Sequence, residues 1–365
     1  MRELTYCEAI NEAMDQEMKR DNNVITYGIG VPDHKKIFGS TVNLLEKYGA
    51  SRCFDTPLAE DTMTGFALGA AMHGLKPIHI HIRVDFLLLA MNQLINMLSS
   101  YNYATGSHFE LPIVIRAIVG RGWGQGCQHS KSLHSYFSHI PGLKVILPTT
   151  PYDAKGLLTS AIRDANPVIC LEHRWLYWAT GAVPKESYEI EIGKANILIK
   201  GTDLTVVATS WMNIEAIRAA EILKKYRDVN VEVVDVRSLY PLDSDLISGS
   251  VQKTRYCIVA DNDWVAYGAG AEIASKVYES CFTDLKKPIT RIGFAHAPCP
   301  TVRCLENEFY PNAEELDFRI AASYQKLSRL NEADFFIQDL NKKKKKPSES
   351  FLEFFPDFKR IFNNY

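Results

Sequence analysis

The sequence lacks most of what marks a specialised environment. No window approaches 18 apolar residues, so no stretch reads as a membrane-spanning helix. Neither charge sign dominates: the formal net charge is −2, which leaves no overall footprint for nucleic acid or an acidic membrane surface. The eight cysteines include no C-x-x-C pair, and Cys170 and Cys257 sit in apolar, strand-like runs. That usage predicts reduced, buried thiols in a cytosolic protein rather than a disulfide framework. The opening MRELTYCEAINEAMDQEM is amphipathic and acidic, unlike a signal or transit peptide, and the expected location is cytoplasmic. Two nucleotide signatures are also missing. Gly28-Ile29-Gly30-Val31 has no third glycine at the spacing of a dinucleotide fingerprint, and no G-K-[ST] follows the glycine-rich loop Gly120–Gly126.

What is present is a globular pattern of 365 residues, 46% apolar and 23% charged, enough for two ordinary domains with a real core. Thr5-Tyr6-Cys7-Glu8 fits a capping box ahead of a helical stripe at Ala9, Ile10, Ala13, Met14 and Met18. Strands are expected at Val24–Tyr27, Ile78–Phe86, Ile113–Ile118 and Val168–Leu171, with a short one inside Pro141–Pro148; Thr150 caps a helix begun by Pro151. The pattern loosens from Tyr177 to Gly201, which reads as a linker and entry hairpin. A second set of strands follows at Leu204–Ala208, Val231–Val234, Tyr256–Ala260 and Thr290–Gly293, alternating with helices. The fold class is therefore α/β, with two doubly wound domains on mostly parallel sheets. The expected boundaries are 1–185, a linker at 186–203, a second domain at 204–335 and a tail at 336–365. The tail holds five lysines, Lys342 to Lys346, then Phe351, Phe354, Phe355, Phe358 and Phe362. A like-charge block reads as a solvated tail, and the aromatics behind it leave docking on a partner open.

The chain is organised around Asp55 to Pro77, DTPLAEDTMTGFALGAAMHGLKP. Small residues at Gly65, Gly69, Ala70 and Ala71 let a helix pack closely. Glu60 and Asp61 open that helix, where negative charge is favoured by the helix dipole; a carboxylate buried there also needs a partner or a task. Downstream, His79 and His81 share one face of the expected strand, but a third metal ligand at close spacing is missing. Phe86 reads as a core aromatic and His129 as a loop histidine capping a helix. His134 and His139 read as packing or surface residues. The apolar run after Phe86, LLLAMNQLINML, reads as a core or interface helix.

The Asp55–Pro77 stretch resembles the cofactor-binding segment of beta subunits of thiamine-diphosphate-dependent 2-oxo acid dehydrogenases, the decarboxylating first component of those complexes. That segment typically reads D-T-P-[IL]-[SA]-E and ends A-A-x-x-G-x-[KR]-P. The resemblance runs from about residue 4 to 320. It includes Gln128-His129-Ser130, the run Asp235 to Asp243, Gly268–Ile273 and His296–Pro300. The last three read as turn and packing motifs of a transketolase carboxy-terminal-like domain. The resemblance implies that Glu60 hydrogen-bonds the aminopyrimidine of thiamine diphosphate and promotes its imino tautomer. It places Leu58 and Phe86 against that ring, and it gives His129 a substrate-side role, stabilising a carboxylate or tetrahedral intermediate or moving a proton. It also implies a potassium ion held by the turn at Ala161, Ile162, Asp164 and Asn166.

The chain departs from the family in places. Ile29 and Gly30 stand where two glutamates of an acidic proton path would be, and Leu89 replaces a residue that is often polar. There is no G-D-G…N-N segment for magnesium and diphosphate. By resemblance that half comes from a separate alpha subunit, which implies an α2β2 assembly that is inactive as the beta chain alone. Three readings follow. One is the dehydrogenase subunit, which decarboxylates a 2-oxo acid and passes the acyl group to a lipoyl acyltransferase. The second is a subunit of a two-component transketolase-like carboligase with an aldehyde or other acceptor. The third is a binding subunit with a decayed site, against which Glu60, Phe86 and His129 argue.

Overall fold

The computed structural model describes residues 1–33, 35–120, 124–312 and 316. The lysine block with its aromatics, and the expected end of the second domain, lie outside the described residues. The first unit holds strands β1 (Arg2–Thr5), β2 (Val24–Gly28), β3 (Cys53–Phe54), β4 (Lys76–His81), β5 (Val114–Val119), β6 (Lys144–Ile146), β7 (Val168–His173) and β8 (Thr180–Val183). The second holds β9 (Asn196–Ile199), β10 (Leu204–Ala208), β11 (Val231–Asp235), β12 (Ser238–Tyr240), β13 (Cys257–Trp264) and β14 (Thr290–Phe294).

Local chemistry sets the elements. Thr5 Oγ1 accepts from the Glu8 amide at 3.2 Å while Glu8 Oε2 accepts from the Thr5 amide at 2.8 Å, closing the expected capping box of the Tyr6–Arg20 helix. Thr150 Oγ1 accepts from the Asp153 amide at 3.1 Å, and Pro151 opens the Pro151–Arg163 helix. These two helices pack against one face of the first sheet, so its central strands are buried on both sides. Arg116 lies in the middle of β5 with no exposure. It is tolerated there because it makes two parallel bonds to Glu172 of β7, at 2.6 and 2.8 Å. All eight cysteines are free. Among the described residues, no helix is long and apolar enough to cross a membrane.

The first sheet runs β12-β6-β7-β5-β4-β2-β3 and the second β14-β13-β10-β11-β9; β1 and β8 form a separate antiparallel pair. Three expectations need correction. The strand expected to run to Phe86 stops at His81, and Val84–Leu87 is a helical turn. The alternation of apolar and polar residues runs on unbroken through Ile82, Arg83, Val84, Asp85 and Phe86, past the point where the backbone turns into the helix, so periodicity could not locate the end of the strand. The 186–203 segment is not a free linker. Tyr188 stacks on Tyr152 of the first unit at 4.7 Å, Ile190 donates to Ser160 Oγ at 3.0 Å, and β9 joins the second sheet. Nor does the entry hairpin form, since β8 pairs with β1 and β9 pairs with β11.

The two units are joined through covalently distant contacts. β12, which follows the second unit's β11, adds antiparallel to β6 at the edge of the first sheet. Arg237 beside it pairs with Asp153. His134, expected to be a packing or surface residue, is completely buried at this seam. Its Nε2 lies 2.8 Å from Asp261 Oδ1 and 3.8 Å from Asp263 Oδ2, both on β13. Burial alone would lower its pKa, but the two carboxylates outweigh burial and raise it to about 9. A raised histidine pKa contributes stability that is complete below its unfolded value of ~6.5 and is lost as pH climbs through about 9. His134→Gln is therefore expected to melt well below the wild type at pH 6.5, by the ~3–5 kcal/mol typical of a broken buried pair. The two melting curves should converge toward pH 9.5; a constant gap across that range would refute the assignment.

Candidate active site

The carboxyl ends of parallel strands are where an open α/β sheet leaves a crevice, because the chain must turn away there in opposite directions. β2 ends at Gly28 with φ +151°, and a Cβ there would lie 2.2 Å from the Ile80 carbonyl oxygen of β4. Only glycine allows the chain to leave the sheet so close to its neighbour. The chain that leaves β3 is then fastened to this turn. Asp55 Oδ1 accepts from the Gly30 amide at 2.9 Å and from the Thr56 amide at 2.8 Å. This places Thr56, Pro57 and Leu58 over the strand ends and delivers Glu60 as the first residue of the Glu60–Met72 helix. Underneath, Tyr27 donates to the Met63 carbonyl at 2.9 Å and stacks between Phe54 at 5.2 Å and His79 at 4.6 Å.

A cavity of about 280 Å³ results, lined among others by Ile29, Leu58, Glu60, His81, Phe86 and His129. It brings together residues that stand 100 apart in sequence at the extremes, Ile29 and His129. Glu60 is half-buried, and Leu58 is 82% exposed at the mouth. Phe86 and His129 meet edge to face, ring centroids 5.2 Å apart. Their meeting is secured by Lys131, whose Nζ lies 2.9 Å from Asp85 Oδ1 and also donates to the Cys127 carbonyl. The rings of His79 and His81 lie 4.2 Å apart, tilted by 48°, in the lining. Burial drives both pKa values down, His81 to about 4, so both are neutral near pH 7. Among the described residues, no group of three or more His, Cys, Asp or Glu is poised to hold a metal ion.

A profile described as the transketolase pyrimidine-binding domain matches residues 2–178, and one described as the transketolase C-terminal domain matches residues 193–316. The beta subunit of an acetoin:2,6-dichlorophenolindophenol oxidoreductase from Cupriavidus necator is 40% identical, over 86% of this chain and 96% of that one. The beta subunit of 2-oxoisovalerate dehydrogenase from Bacillus subtilis is 37% identical over 86% of this chain and 96% of its own length. The mitochondrial pyruvate dehydrogenase E1 component beta subunit from Bos taurus is 37% identical over 87% and 90%. This chain belongs to the family of 2-oxo acid dehydrogenase beta subunits.

A solved split-gene transketolase, an inactive beta4 tetramer, superposes with a TM-score of 0.71 over 89% of this chain and 98% of its own, at 20% identity. That likeness bears on the fold alone. With dehydrogenase and oxidoreductase beta subunits at nearly twice that identity, the relatives favour the dehydrogenase reading over a carboligase.

In this family member, Leu58, Glu60, Phe86 and His129 all reach the one cavity. Ile29 makes its wall apolar where the resemblance implies an acid, and Leu89, 63% exposed, is absent from the lining. Ala161, Ile162, Asp164 and Asn166 are not brought there. They lie just before β7, at the amino ends of the parallel strands, opposite the carboxyl ends that bear the cavity. The side chains of Asp164 and Asn166 have partners of their own: Lys144 Nζ is 2.5 Å from Asp164 Oδ2, and Asn166 Oδ1 accepts from Asn102 at 2.9 Å. Sequence reading gave no role to Arg83 and Gln125, which also line the cavity. An arginine two residues past the end of a buried strand was the available signal.

Lys131→Met would leave the nearly buried Asp85 carboxylate without its cation. A loss of ~1–3 kcal/mol is expected in denaturant unfolding, with faster amide exchange across residues 126–134. Unchanged exchange there would show that the pair does not hold the His129 loop.

Proposed function

We propose that this chain is the beta subunit of a thiamine-diphosphate-dependent 2-oxo acid dehydrogenase. With a separate alpha subunit it decarboxylates a 2-oxo acid and passes the acyl group to a lipoyl carrier. The observation that carries the reading is the convergence of Leu58, Glu60, Phe86 and His129 on one cavity, in a chain that matches dehydrogenase beta subunits over most of its length.

The cavity suits the pyrimidine half of the cofactor. Its ~280 Å³ sits below the ~300–1,000 Å³ usual for a whole ligand site, and its lining combines apolar walls with few polar groups. When bound, thiamine diphosphate supplies the nucleophilic carbon and the electron sink for decarboxylation. Glu60 offers its carboxyl group to the ring nitrogen from the first position of its helix. Leu58 and Phe86 offer apolar surface to the ring. His129, edge-on to Phe86, holds or moves a proton on the substrate side.

The diphosphate and magnesium fall to the alpha subunit, in keeping with the absence of a G-D-G…N-N segment here. Exposed Leu58, Phe66 and Leu89, on the elements that bear the cavity, support a partner covering this face in an α2β2 complex. A potassium ion, as the resemblance implies, falls to the backbone carbonyls of the turn at Ala161, Ile162, Asp164 and Asn166, and no catalytic step depends on it.

In the reconstituted complex, Glu60→Gln and His129→Ala are each expected to lower turnover by ~10²–10⁴ with assembly intact. Full activity of Glu60→Gln would refute the role given to that carboxylate. A pull-down of the tagged chain from its own lysate tests the partners. Recovery of an alpha-type chain with a lipoyl-bearing acyltransferase is expected, whereas recovery of the alpha-type chain alone would favour a carboligase.

A further inference from the structure

The cavity carries a cation that the roles of Glu60 and His129 leave unused. Arg83 lines it and is only 5% exposed. A guanidinium has five N–H donors. In Arg83, Nη1 donates to the Ile82 carbonyl at 2.7 Å, Nη2 donates to Gln125 Oε1 at 2.9 Å, and Nε has no partner. No carboxylate pairs with it among the described residues, because Asp85 is engaged by Lys131. Burial lowers its pKa to about 10 despite the pull of Asp85, which still leaves it charged near neutrality. Arg174 donates to the same Gln125 oxygen at 3.0 Å, and both guanidiniums lie 5.6 Å from the Phe38 ring.

A buried cation without an acid is costly, and here the fold holds it with an amide and an aromatic ring instead. The remaining walls do not neutralise it. Ile29 is apolar, His79 and His81 are uncharged, and among the described residues Glu60 is the one carboxylate in the lining. The missing partner is an anion. A 2-oxo acid carries its carboxylate next to the reacting carbonyl.

We propose that Arg83, oriented by Gln125, binds the carboxylate of the 2-oxo acid and makes the site selective for anionic substrates. The inference rests on the dehydrogenase reading above. Arg83 is a specificity residue on this reading, and proton handling stays with Glu60 and His129.

The test uses the full α2β2 complex carrying wild-type, Arg83→Met or Arg83→Lys chains. Oxamate, an unreactive 2-oxo acid isostere, is titrated by calorimetry, and KM and kcat are measured with pyruvate and 3-methyl-2-oxobutanoate. Arg83→Met is expected to weaken oxamate binding and raise KM by ~10–100-fold, as loss of a charge-assisted hydrogen bond predicts. Thiamine diphosphate affinity should stay within about twofold, and Arg83→Lys should fall between the two. If Arg83→Met does not assemble, Arg83→Lys decides the matter by the same readings. Oxamate affinity unchanged in the assembled variants would overturn the proposal, as would loss of cofactor affinity with oxamate binding intact. A wild-type complex that binds oxamate but decarboxylates no 2-oxo acid would instead overturn the dehydrogenase reading.

Discussion

The site depends on the second unit holding a loop of the first. The segment from Gly124 to His134 carries Gln125 and His129, and its glycines cannot make it rigid. It is held from outside. Tyr310 donates to the Ser130 carbonyl at 2.9 Å, Asn262 donates to Ser132 Oγ at 2.9 Å, and His134 binds Asp261 at 2.8 Å. A Cβ at Gly126 would meet Thr301 Oγ1 at 2.5 Å, so the loop also packs directly on the second unit. The cavity is built by first-unit residues, but the place of His129 in it is set by residues 130 to 180 positions away. The β12–β6 pairing keeps the two units in the register this requires.

Buried charge is used in two ways. Arg116 with Glu172, and Lys155 with Glu12 and the carbonyls of residues 184–186, are closed networks in which each cation has an acid. They fasten β5 to β7 and the linker to the first unit. Among the described residues Arg83 hydrogen-bonds to neutral groups alone, and it alone of these three cations lines the cavity. Closed networks favour a single packed arrangement, whereas an open one leaves binding capacity for a ligand.

Local chemistry was legible wherever it is decided within a few residues. The capping box at Thr5–Glu8, the Thr150 cap with Pro151, and the strands Leu204–Ala208 and Val24–Gly28 are visible in the chain itself. Glu60 and His129 were legible through resemblance, because a contiguous motif carries each. The end of β4 was not, since the alternation of apolar and polar residues continues from Ile78 to Phe86, through the turn into the Val84–Leu87 helix. The role of His134 was invisible for a different reason. Its partners are on β13, more than 120 residues away, and nothing near it in sequence signals a buried charge.

The sequence by itself determined the α/β alternation, the helix starts and the family, because propensity, capping and contiguous motifs act over short range. Only the tertiary structure decided that β9 belongs to the second sheet and β12 to the first, that the 161–166 turn lies at the strand ends opposite the cavity, and that Arg83 lines the cavity with no carboxylate bonded to it among the described residues. Each of these depends on which strand ends meet in space, and hydrogen-bond pairing between distant segments, rather than local preference, chooses that.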